Sequence, residues 1–286
     1  MATLKVIRKR ISSVRNTQQI TKAMKMVSAA KLRRAQEAVE RARPYAEKMV
    51  QLLKNLSSRT SDETHPLLMD REEKHIELIL ITSDRGLCGG YNANLIRTAE
   101  DFLRSHSAES QVILTVVGRK GADYFRRRNV EIGDQYVNIG NRPLEDLASE
   151  MAEKTIGRFQ REESDGSYLL YSRFKSALSQ VPTVQKLIPV VKDDKTEQEQ
   201  AIEYLFEPSD QAVLSSLLPK VVEVTIYRAL LEAGASEQGA RMTAMESATT
   251  NAADMISKLT LQMNRARQAS ITRELLEVVS TAEALK

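Results

Sequence analysis

The densest group of chemistry-bearing residues is SDRGLCGGYN at 83–92, a glycine-rich turn that follows an apolar run. Between a strand and a helix, such a turn can cradle phosphate on its backbone N–H groups. The spacing argues otherwise. The glycines do not follow G-x-x-x-x-G-K-[ST] or G-x-G-x-x-G, and no lysine comes after them. The simpler role is a structural turn that needs positive backbone dihedrals. Cys88 lies in the same turn with no histidine near it in sequence, so it reads as a packed thiol sooner than as an activated one. As the sole cysteine it excludes an internal disulfide and a cysteine-cluster metal site. His65, His75 and His106 are spaced too widely for a local ligand pair, and H-E-x-x-H and G-x-S-x-G are absent. No catalytic residue, metal or cofactor is expected.

The elements around this turn come from a chain in three parts. Of 286 residues, 42 are Lys or Arg and 38 Asp or Glu, a net charge of +4. That near-neutral total hides a basic first segment: residues 1–60 carry +12, residues 61–208 carry −7 and residues 209–286 carry −1. Glycine is absent before Gly86, and proline is absent from 1–43 and 220–286. The ends are therefore nearly free of helix breakers, while the middle is punctuated as loops require. The expected organisation is an N-terminal coiled-coil helix (1–60), a central α/β, Rossmann-like domain (61–208) and a C-terminal coiled-coil helix (209–286).

In the middle segment, HIELILIT (75–82), QVILTVVG (111–118), SYLLYS (167–172) and TVQKLIPV (183–190) are short apolar, β-branched runs. Helical patterns at 92–105, 119–128 and 143–161 alternate with them, which predicts βαβ units and a mostly parallel sheet. Residues 61–74 and 192–200 read as charged, mobile connectors.

At the N-terminus, Leu4, Ile7, Ile11 and Val14 follow a 3/4 spacing that resumes from Leu32 to Leu56. Between them the same frame passes through polar Gln18, Thr21, Lys25 and Ser28, while the apolar stripe moves to Ile20, Met24, Val27 and Ala30. Such a phase change alters the supercoil, or turns that stretch toward something other than its helical partner. Pro44 is expected to kink the helix. At the C-terminal end, Met242, Met245, Ala252, Ile256, Leu259, Met263 and Ala266 keep the rhythm, and Ile271, Leu275, Val278, Ala282 and Leu285 continue it one residue out of phase. Gly234 and Gly239 each weaken a helix by about 1 kcal/mol, which predicts a bend or a loosened turn. Helices of this length would span roughly 80–110 Å, well beyond a compact body with a radius of gyration near 19 Å. The economical arrangement is an antiparallel coiled coil of the two ends.

The basic segment suits nucleic acid or an anionic membrane. It equally suits an acidic protein surface, or a merely solvated face. An acid-poor amphipathic start also has the character of a transit peptide, although the heptads run through residue 36 without a cleavage-like break. No run of 18 apolar residues is present to span a membrane as a helix.

LKVIRKRISSVRNTQQITKAMKMVSAAKLRRAQ (4–36), TSDRGLCGGYNANL (82–95), YLFEPS (204–209), GASEQGARMTAMESATTNA (234–252) and NRARQASITRELLEVVSTA (264–282) together resemble the gamma subunit of bacterial-type F-type ATP synthases. The resemblance runs through essentially the whole chain, in order. It departs where Thr281-Ala282 stands in place of the family's usual Gly-Ala. It implies a non-catalytic rotor shaft, peripheral on the cytoplasmic face of the bacterial membrane. The shaft would couple ion-driven rotation of the c ring to ATP synthesis or hydrolysis at the beta subunits. Implied partners are the alpha and beta subunits, the epsilon subunit and the c ring, with no nucleic acid and with membrane contact only through the complex. No cofactor is implied, and the lack of the chloroplast-type cysteine pair removes redox control of that kind.

Residue by residue, the resemblance places Met24 and Lys25 where the N-terminal helix passes an acidic lever of beta. It places Arg267, Gln268 and Thr272 in a polar cluster that meets beta's catch loops. Ile271, Leu275, Val278 and Leu285 would form an apolar tip turning in the ring's bearing, and Tyr204 and Glu207 would lie near the c ring.

Overall fold

The computed structural model describes residues 4–57, 65–106, 110–190 and 209–284. Two compact units form, one from Met1–Ser28 with Met242–Lys286 and the other from Ala29–Arg241. Helix α1 (Leu4–Ser57) and helix α5 (Asp210–Ala284) contribute to both.

In the first unit the two terminal helices pair antiparallel. Thr21 meets Thr249, with their hydroxyls 2.8 Å apart, and Lys25 meets Glu246 at 2.7 Å. Ile7, Met245 and Ala252 are buried, and Ile11, Val14, Ile256, Leu259, Met263 and Ala266 are half-buried. The 3/4 frame read from the sequence is thus the seam. The phase change is settled in a specific way: polar Thr21 and Ser28 stay in the seam, 8% and 2% exposed, while Ile20 and Val27 point outward at 60% and 57%. A satisfied polar pair in an apolar seam fixes register, because any slip would leave its hydroxyls without partners.

The second unit is built on a five-stranded sheet ordered β3-β2-β1-β4-β5. Its strands are β1 (His75–Ile81), β2 (Gln111–Val117), β3 (Ile132–Tyr136), β4 (Gly166–Phe174) and β5 (Gln180–Ile188). The first four are parallel and β5 is antiparallel to β4. Helices α2 (Tyr91–His106), α3 (Arg119–Arg126) and α4 (Leu144–Gln160) make the crossovers. Side chains alternate across the pleat. Ile76, Leu78 and Leu80 pack with α2 and α3, whereas Ile79 and Ile81 pack with α4 and with the unit's portions of α1 and α5.

Four local expectations change. Strand β3 was not legible: IGDQY contains Gly133 and Asp134, both poor strand formers, and it sits at a sheet edge. Strand β5 begins at Gln180 and ends at Ile188, not over 183–190, and it carries Pro182 on the outer edge where no ladder partner needs its N–H. The connector read as mobile is packed from residue 65 onward. Leu67 is fully buried in a short 3-10 turn, and Arg71 lies 4.4 Å over the Phe159 ring while donating to its carbonyl at 3.0 Å. Residues 61–64 and 192–200 lie outside the described residues. Lastly, α5 is helical without interruption through Gly234 and Gly239, so of the expected bend or loosened turn the loosened turn is absent. Gly239 serves close packing, since a Cβ there would come 3.3 Å from the Ala177 backbone. Helix α1 includes Pro44 within its length, an arrangement in which a proline kinks a helix without ending it.

Candidate partner-binding surfaces

On α1, the surface flanking the seam combines cationic and apolar groups. Lys22 is exposed, Met24 and Lys25 are half-buried, and Ile20, Met26 and Val27 are exposed, Met26 at 61%. An open groove here is lined by Gln18, Gln19, Lys22, Lys25, Met26, Glu246, Thr249 and Thr250. Lys25 and Glu246 retain 38% and 56% of their side-chain exposure, so water screens their pairing. Exposed pairs of this kind contribute about 0.2–1 kcal/mol. A double-mutant cycle over Lys25→Ala and Glu246→Ala is expected to give a coupling energy below about 1 kcal/mol in urea unfolding. A coupling of about 2 kcal/mol or more would make Lys25 a structural residue, with its charge committed inside the chain.

Toward the C-terminus, the two helices stop covering each other. Carried outward at equal rise, the register of the Thr21 and Lys25 pairs sets Leu4 beside residues 266–267. Every residue from 271 through 281 is exposed. Ile271, Leu275, Leu276, Val278 and Val279 range from 49% to 66% exposed. Arg267, Gln268 and Thr272 are exposed at the start of this overhang, and the Thr272 hydroxyl bonds back to the Gln268 carbonyl at 3.0 Å. The structure thus brings Arg267, Gln268, Thr272, Ile271, Leu275 and Val278 onto one uncovered helical stretch. Met24 and Lys25 lie elsewhere, on the paired portion. Leu285, Tyr204 and Glu207 lie outside the described residues.

In the second unit, the glycine-rich turn is a closed structural loop. Leu87 and Gly89 have φ of +63° and +57°, the positive dihedrals expected there. Ser83 donates to the Arg85 carbonyl at 2.7 Å, and Asn92 reaches Ser83 Oγ and Cys88 Sγ at 2.8 and 3.2 Å. Asp84 accepts from the backbone N–H groups of Arg119, Asn138 and Ile139, which ties the loop to the ends of β2 and β3. Cys88 is 2% exposed, and burial pushes its thiol pKa up, the opposite of activation.

The residues that hold α5 to this loop are ones sequence reasoning missed. Arg241, 8% exposed, pairs with Glu237 at 2.7 Å and donates to the carbonyls of Arg85 and Gly86, both at 3.2 Å. Burial raises the pKa of Glu237, and Arg241 opposes that shift. The i,i+4 spacing of Glu237 and Arg241 was readable, but the two carbonyls to which Arg241 donates lie some 155 residues away.

Comparison with known proteins places this architecture. A family model described as ATP synthase matches residues 3–285. The chain is 50% identical over 287 residues to the ATP synthase gamma chain of Geobacter metallireducens, and 51% identical over 286 residues to that of Desulfitobacterium hafniense, each match covering 100% of both chains. Among solved structures, it superposes on a chain of the Tetrahymena thermophila mitochondrial ATP synthase central stalk and c ring with a TM-score of 0.61 and 27% identity, covering 80% of this chain and 99% of that one. A chain from the Euglena gracilis mitochondrial enzyme matches in fold, with a TM-score of 0.72 at 22% identity over 99% of this chain and 94% of its own. With half of its residues shared from end to end with these relatives, and with the paired terminal helices and five-stranded sheet in place, the chain belongs to the ATP synthase gamma chain family.

Proposed function

We propose that the chain is the central rotor shaft of an F-type ATP synthase and that it makes and breaks no bonds itself. Ion flow turns a c ring, the shaft turns with it, and the shaft presents different faces in succession to three identical beta subunits. A partner shifts a conformational equilibrium only through differential contact energy. A helical overhang has no threefold symmetry, so three identical sites around it never make the same contacts at one time.

The observation that carries this reading is the uncovered end of α5, where five large apolar residues between Ile271 and Val279 have no covering partner among the described residues. An apolar stretch of that kind marks a protein-binding surface. The alpha and beta subunits are its partners, together with epsilon and the c ring at other surfaces. Arg267, Gln268 and Thr272 are the polar contacts at its start, and Met24 and Lys25 are separate contacts on the paired portion of the helices. The location follows from these partners: peripheral, on the cytoplasmic face of a bacterial membrane.

The non-catalytic part of the reading has its own support. In sheets of this strand order, a nucleotide sits at the switch point, beyond the carboxyl ends of β1 and β4. Here α5 occupies that place. Ser236 donates to the Ser172 carbonyl of β4 at 2.8 Å, Gly239 abuts Ala177, and Arg241 engages the loop after β1.

Affinity purification of the tagged chain is expected to bring down a hexameric ATPase ring in fixed stoichiometry. Membranes lacking the chain are expected to lose ATP-driven proton pumping altogether. A chain recovered alone, from membranes that still pump, would sink the proposal.

A further inference from the structure

The crevice at the β1/β4 switch point is filled by the protein's own helix, and one side chain closes it on the loop side. Four of the contacts that hold α5 lie between residues 233 and 241, beside the packed side chains of Ala233 and Ala240. The Tyr91 hydroxyl donates to the Ala233 carbonyl at 3.2 Å, and Ser236 donates to Ser172 at 2.8 Å. Gly239 presses on the β4–β5 turn at Ala177. The fourth contact is Arg241, which reaches across to the glycine-rich loop through the carbonyls of Arg85 and Gly86.

That loop stores strain. Leu87 has φ of +63° and is 64% exposed, so neither its side-chain packing nor its residue type favours this conformation. The carbonyls before Leu87 are held: Arg241 reaches those of Arg85 and Gly86, and the Ser83 hydroxyl also donates to that of Arg85. A guanidinium is well suited to hold them, since its planar fork reaches two carbonyls and a carboxylate at once, whereas an ammonium acts as a point charge. Glu237 is the carboxylate that aims it, at 2.7 Å, with side-chain exposures of 10% for Arg241 and 18% for Glu237. Asp84, Cys88 and Tyr91 from the sheet side, and Lys31 from α1, complete the charged and titratable surroundings.

We propose that Arg241 is a positioning residue that clasps the 83–90 loop onto α5, so that the α/β sheet grips the helix as a socket and turns with it in step. This rests on the rotor reading for its consequence, though not for its geometry. The socket is the crevice in which related strand orders hold a ligand. Without the clasp, the strained loop relaxes, the socket opens on one side, and part of each rotary step is lost as slip between sheet and helix.

Cys88 supplies the reporter. It is the chain's only cysteine, 2% exposed, and it lies between the clasped carbonyls and Asn92. In the assembled complex, modification of Cys88 by N-ethylmaleimide is followed by mass spectrometry of its peptide, alongside protons pumped per ATP hydrolysed. Arg241→Ala is expected to raise the Cys88 labelling rate at least tenfold and to lower the pumping ratio at least threefold. Arg241→Lys is expected to fall between the variant and the parent in both. If Arg241→Ala fails to assemble, Glu237→Gln leaves the guanidinium in place but unsteered, and is expected to shift both readings in the same direction by a smaller factor. Unchanged labelling would show that Arg241 does not hold the loop. Faster labelling with an unchanged pumping ratio would show that the clasp carries no torque. Either result overturns the proposal while leaving the rotor reading to its own test by co-purification.

Discussion

Replacing Arg158 with alanine is expected to destabilise the α/β unit by about 3–5 kcal/mol, a large share of the roughly 5–15 kcal/mol that holds a typical domain together. Arg158 stands on α4 with a side chain 15% exposed and pairs with both Glu77 and Asp134. Glu77 is the critical partner. It sits mid-strand on β1 with no exposure, and it accepts from Thr115 at 2.7 Å and from Ser167 at 3.4 Å. Those hydroxyls are neutral, so without the guanidinium a buried carboxylate keeps two dipoles and no counter-charge. Asp134 suffers less, because Lys154 remains 3.3 Å away. The double replacement Glu77→Leu with Arg158→Met, which removes both charges and keeps apolar volume, is expected to recover most of the loss. Urea midpoints for the parent, the single variant and the double variant decide the matter. A single-variant loss under about 1 kcal/mol would mean that water reaches Glu77 and that the pair is not buried in solution.

The same network shows why some of the molecule was legible and some was not. HIELILIT announces a strand through its apolar, β-branched content, and β1 forms there. Nothing local says that Glu77 points inward, because its counter-ion is 81 residues further on. The terminal helices are the opposite case. Their seam depends on spacing within each helix, so Ile7, Ile11, Val14, Ile256 and Met263 could be read directly. Thr21 and Ser28 looked like a break in the pattern and proved to be part of the seam, since a hydroxyl pair such as Thr21–Thr249 satisfies itself only when the second helix is present. The candidate surface divides in the same manner. The apolar run at 271–279 was evident from its spacing, whereas its exposure, with no described residue packed over it, is a property of the fold and not of the run itself. Arg241 was inside a recognised motif, yet its role is invisible until the fold brings the carbonyls of Arg85 and Gly86 to it.

Arg267→Ala and Gln268→Ala are each expected to lower ATP-driven proton pumping by about tenfold, equivalent to ~1.4 kcal/mol of lost transition-state or step stabilisation. The folded chain is expected to change in stability by no more than about 0.5 kcal/mol. This separation follows from exposure. Both side chains face solvent in the unit they belong to, and the nearest described bond, from the Thr272 hydroxyl, goes to the Gln268 backbone carbonyl and survives either replacement. Truncation therefore removes nothing that holds the helix together. What it removes is a charge and an amide at the start of the exposed stretch that the rotor proposal gives to the beta subunits. An interaction made equally with three beta sites would drop out of the rotary cycle, whereas one made with a single site at a time alters the balance among them. Lys258→Ala, exposed on the paired portion of the same helix, is the matched control and is expected to pump normally. Assembled complexes carrying Arg267→Ala or Gln268→Ala that pump at the parent rate would remove both residues from the working surface. The apolar overhang would then have to act without them, through Ile271, Leu275 and Val278 alone, and the same assay on Leu275→Ala would show whether it does.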